Sequence, residues 1–197
     1  MKRNFKIFII KTVIFILALF AISCNGKKKT DWRVSYGYKH KKPFGTYIVF
    51  EELSTLFPNN EKIVLKKNPF DYFDENYDYE LEKYNVNGNY ICIDRYMFTM
   101  DDETSNEILN FVSHGNTAFI AANAFSETFR DSLGFELGDA VELYDKVNEL
   151  QKTKAELKLL NPAFDDKAYE YDRNILPSHF SFIDSTNTSV LGTQTIG

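Results

Sequence analysis

Asn89-Tyr90-Ile91-Cys92-Ile93-Asp94 is a short apolar run of the kind that forms a buried parallel strand. Asp101 or Asp102 is placed to cap a helix in which Ile108, Leu109, Phe111 and Val112 turn inward. That helix is expected to stop at His114-Gly115-Asn116, where Gly or Asn supplies a left-handed residue. Thr117-Ala118-Phe119-Ile120-Ala121-Ala122 then reads as a second buried strand, and Ser126 as the cap of a short helix ending at Gly134. Strand, helix, strand, helix with short links predicts an α/β fold with parallel strands and right-handed crossovers.

Upstream, Pro43 to Pro58 bracket a further predicted helix. Pro43 suits a first helical position and Pro58 cannot continue one. Phe44, Ile48, Val49, Leu53, Leu56 and Phe57 recur at helical spacing and are expected to face a core, with Glu51, Glu52 and Thr55 on the other side. Trp32 to Tyr36 and Lys62 to Lys66 read as strands. Residues 69–84 interleave acids with aromatics, which predicts a connecting segment whose rings pack inward and whose acids face water. Beyond residue 135 the pattern changes. Ala140 to Lys152 reads as helix, and Ala155 to Leu160, Tyr169 to Asp172 and His179 to Asp184 as strands of a β-rich appendage. Residues 190–197 show no clear final element. The organisation expected is a leader at 1–23, a tether at 24–42, an α/β domain at 43–135 and the appendage at 136–197.

The 197 residues are 44% hydrophobic and 26% charged, with a formal net charge of −5, a composition that argues against disorder. The first 23 residues hold four cations and no acid, so the remainder stands at −9. A body this acidic argues against nucleic-acid binding, which needs a basic face. The basic start, the apolar core from Val13 to Ala21 and the ending Ala21-Ile22-Ser23-Cys24 have the layout of a secretory signal peptide with a lipobox-like end. Cys24 is the candidate lipidation site, and an N-terminal acyl anchor would tether the chain to membrane lipid. The alternative is an uncleaved membrane anchor over the 17 residues from Ile7 to Ser23. Either reading puts the body outside the cytoplasm, in the cell envelope.

Trp32, the run His40-Lys41-Lys42-Pro43-Phe44-Gly45-Thr46-Tyr47 through Leu56-Phe57-Pro58, and Phe111-Val112-Ser113-His114-Gly115-Asn116 with Phe119-Ile120-Ala121 together resemble the DUF4350 family of membrane-anchored proteins in Bacteroidetes. The resemblance covers roughly residues 30–192. It implies a three-layer, mainly parallel sheet of the class I glutamine amidotransferase or flavodoxin kind, with no established activity. Members of that family run on into further strands, a helix and often a membrane helix, so it also implies an incomplete appendage.

No catalytic constellation is read from the residues. A glutamine amidotransferase needs a nucleophilic Cys on a sharp strand-to-helix turn, whereas Cys92 lies inside a predicted strand with no glycine elbow. His40, His114 and His179 lack paired zinc spacing, and no phosphate-binding glycine loop occurs. No metal or cofactor is expected. Ligands of open α/β sheets bind beyond the carboxyl ends of strands. Asp94, Arg95, Asn123 and Ser126 are therefore the candidate ligand loops, with loop and helix capping as their ordinary structural use. The leading functional expectation is a non-enzymatic, envelope-tethered domain that binds another envelope protein. The alternatives are a carbohydrate-binding module using the aromatics at 69–84, and a degenerate or undiscovered hydrolase of amidotransferase-like fold.

Overall fold

The computed structural model describes residues 11–12, 29–95, 100–138, 154–164, 167–172 and 178–196. The signal or anchor stretch apart from Lys11 and Thr12, the candidate lipidation residue Cys24, and the predicted helix at 140–152 lie outside the described residues. The chain divides into two compact units, Met1–Pro58 and Asn59–Gly197.

In the first unit, helix α1 runs Tyr47–Leu56. It begins later than Pro43, because Phe44 holds a left-handed φ of 62° that no right-handed helix accepts. Gly45 follows for a steric reason: a Cβ there would sit 1.9 Å from the His40 carbonyl oxygen. Thr46 anchors the helix start by donating its hydroxyl to the Tyr36 carbonyl at 2.8 Å. The expected inward face is not buried. Ile48 is 72% and Leu56 67% exposed, and Val49 and Phe57 are exposed too. Leu53 is half-buried as expected, and Phe50, its ring tilted against Tyr38 at 4.8 Å, joins it on the inner side. The predicted strand at Trp32–Tyr36 is irregular chain.

In the second unit the predicted strand at Lys62–Lys66 is also irregular chain. The acid-aromatic stretch is more regular than a connector. It forms helix α2 at Pro69–Asp74 and a small antiparallel hairpin, β1 at Tyr77–Asp78 with β2 at Lys83–Tyr84. Strand β3, Asn89–Ile93, pairs in parallel with β4, Thr117–Ala121, with Ile91 opposite Phe119. Helix α3, Asp102–Ser113, joins them. The Asp101 carboxylate accepts the Thr104 N–H at 2.7 Å, so Asp101 is the cap. Thr104, Ile108 and Phe111 recur at helical spacing and are buried, Leu109 packs against them, and Val112 is exposed, contrary to expectation. Helix α4, Glu127–Leu133, ends at Gly134 with a left-handed φ of 65°. Gly115, just after α3, has φ 86°.

The core is Phe73, Ile108, Phe111 and Phe129. Phe73 stacks on Phe111 at 4.2 Å, with Tyr84 edge-on to Phe111 at 5.2 Å. Asn116 ties the end of α3 to the start of β3: its amide donates to the Phe111 carbonyl at 3.0 Å and its oxygen accepts the Gly88 N–H at 2.9 Å. The remaining strands are antiparallel. β5, Phe135–Gly138, pairs with β8, His179–Ile183, across a bulge between Glu136 and Leu137. β6, Ala155–Leu159, lies between β7, Ala168–Tyr171, and β9, Gly192–Ile196. Strands near 155, 169 and 179 meet expectation, and β9 adds an element the sequence reading did not contain. Among the described residues the fold is thus α/β in the general sense, four helices with several small sheets. Parallel pairing among the described residues is confined to β3 and β4.

Candidate functional site

The register that sets Ile93 opposite Ala121 carries the two loops beyond β3 and β4 side by side. The Asp94 N–H donates to the Ala121 carbonyl at 3.0 Å, and the Asn123 N–H donates to the Arg95 carbonyl at 3.0 Å. Asp94 and Arg95 are exposed there, Asn123 is half-buried, and the Asp94 carboxylate accepts the Arg95 N–H. Three of the four candidate loop residues are therefore brought together at the carboxyl ends of the parallel pair.

Ser126 is not part of that group. It is buried, its hydroxyl oxygen accepts the Phe129 N–H at 3.4 Å, and it shares a 3.0 Å hydrogen bond with the Ser105 hydroxyl. The first bond caps α4 and the second holds α4 against α3. Cys92 is half-buried on the strand face that meets the core, beside Tyr90. Burial raises its thiol pKa and leaves it a weaker nucleophile at neutral pH. His114 caps the end of α3, with its Nδ1 2.8 Å from the Asn110 carbonyl and its ring edge-on to Tyr77 and Tyr84. Among the described residues no group of three His, Cys, Asp or Glu side chains is placed to hold a metal ion.

In the aromatic stretch, Phe73 is buried and Tyr72, Tyr77 and Tyr84 are half-buried in ring packing. Tyr79 is the exception, 71% exposed, with its hydroxyl donating to Asp74, a bond that raises the phenol pKa.

Sequence reasoning missed the outer face of the parallel pair. Tyr90, Cys92, Ala118 and Ile120 turn toward the core. By strand alternation Ile91, Ile93, Phe119 and Ala121 turn the other way. Phe119 is 56% exposed and Ile91, Ile93 and Ala121 are only half-buried, where full burial was expected. The uninterrupted apolar run that predicted a buried strand was itself the signal, because it places apolar groups on both faces. Comparison with protein-family models, curated proteins and solved structures found no match to this chain. Among the described residues no helix is long and apolar enough to cross a membrane.

Proposed function

We propose that the chain is a non-enzymatic, envelope-tethered α/β domain that binds another envelope protein through the outer face of β3 and β4. One observation carries the reading. Parallel sheets are ordinarily covered on both faces. Here one face meets the Phe73–Phe111 core, while the other presents Phe119 largely to water beside Ile91 and Ile93. A cover on that face would complete the three-layer, mainly parallel arrangement of an amidotransferase-like fold, and a partner protein supplies such a cover. The Cys24 acyl anchor would keep the domain at the membrane where that partner resides. A photo-crosslinking residue at position 119 should give one discrete adduct in envelope extract, and the same probe at exposed Lys66 should give none. No adduct at 119 overturns the proposal.

A second reading is supported by Tyr79. Its exposed ring, held by Asp74, offers a stacking surface for a sugar. Glycan-array binding lost on Tyr79→Ala would favour it, and silence on every glycan would remove it.

A further inference from the structure

Residues 27–42 carry seven lysines and arginines against one acid, Asp31. Residues 59–197 carry twelve against twenty-five. Charge asymmetry this sharp within one chain points to a polyanionic surface met by the basic part. The described part of the basic stretch is also shaped. The single acid is used internally: Asp31 accepts two bonds from the Arg33 guanidinium at 2.9 Å and one from Lys42 Nζ at 3.1 Å. Those bonds hold its carboxyl well below the ordinary range, so it stays an anion and closes the loop from 31 to 42. Gly37 accepts the N–H groups of His40 and Thr46, and Trp32 lies edge-on to Phe44 at 6.3 Å. Lys39 and Lys41 are exposed, over the rings of Tyr38 and Tyr47, and Trp32 is 48% exposed. Lysine with exposed tryptophan is the composition that sits at the headgroup level of a bilayer.

We propose that residues 29–42 form a membrane-facing patch that takes anionic phospholipid headgroups, with Lys39 and Lys41 meeting phosphate and Trp32 entering the headgroup layer. This deepens the tether reading by giving the stretch after Cys24 a contact of its own.

Trp32 is the single tryptophan of the chain and reports the contact directly. The full-length chain is combined with vesicles of phosphatidylcholine alone or of phosphatidylcholine with phosphatidylglycerol. Tryptophan emission and flotation are both recorded. Emission should shift to the blue only with phosphatidylglycerol. The shift should revert in about 1 M salt, where the screening length falls to about 3 Å, and be lost in Lys39→Glu/Lys41→Glu. Both positions are exposed, so that variant keeps the fold, which its circular dichroism checks. Flotation with both vesicle types and no shift overturns the patch and leaves the tether standing. Flotation and shift with phosphatidylglycerol alone support the patch and count against the tether. Neither flotation nor shift overturns both. An equal shift on adding polyglutamate would overturn the lipid assignment in favour of an acidic protein partner.

Discussion

Ser126 does two things with one hydroxyl: it caps α4 and hydrogen-bonds Ser105 inside the core. Ser126→Ala should cost about 1–2 kcal/mol in denaturant unfolding, because a cap is lost and the buried Ser105 hydroxyl loses its neighbour. Phe111→Ala should cost more, about 3–5 kcal/mol, since it empties the stack on Phe73. Two side chains illustrate the pH dependence at either end. Burial, then the bond to Glu107, raises the Tyr84 phenol above its usual value near 10. The stability it contributes is full below about pH 10 and is lost as pH rises toward the folded value. Tyr84→Phe should flatten the alkaline limb of a Tm-against-pH curve, and an unchanged limb would count against this assignment. Asp101 has the opposite sign. The Thr104 hydroxyl, and then the Thr104 N–H, lower its pKa, so its contribution is present above about 3.9 and lost as pH falls through the lowered value. Asp101→Asn should keep the cap and remove that acid-side loss.

At the scale of elements, α3 and α4 were readable because their ends are written in local chemistry. Asp101 and Ser126 bond the backbone three residues on, and Gly115 and Gly134 adopt the left-handed turn. The meeting of Asp94, Arg95 and Asn123 followed from the parallel order of β3 and β4. The inward role of Ser126 did not, because it depends on Ser105, 21 residues away. α1 misled for a definable reason. Its apolar residues occupy more than half the circumference, so spacing alone does not say which side is inside. Phe44, counted as a helical position, sits outside the helix with a positive φ. The stretches at 32–36 and 62–66 have strand composition but no ladder, and β9 has a ladder but weak composition, drawing its bonds from β6. Ile48→Ala should therefore change stability by no more than about 0.5 kcal/mol, while Ile108→Ala costs about 2–5 kcal/mol. Equal losses would show that the exposed side of α1 is covered in solution.

For the whole molecule, the described part of the first unit contains no fully buried residue, whereas the second is built on four buried side chains and their partners. Stability should be unequal between them. Hydrogen exchange should find the amides of α1 opening early and those of α3 among the last. Uniform protection would refute that ranking. The three-stranded sheet has a different consequence. β9 stands at one side of it, and Gly192-Thr193-Gln194-Thr195-Ile196 carries no charge. Natural edge strands usually bear a lysine, a proline or a bulge that discourages a second chain from docking in register. With none of these, concentrated protein should self-associate through this strand, and Thr195→Lys should slow the growth of light scattering. Purification at low concentration then becomes a requirement of the fold, set by five uncharged residues.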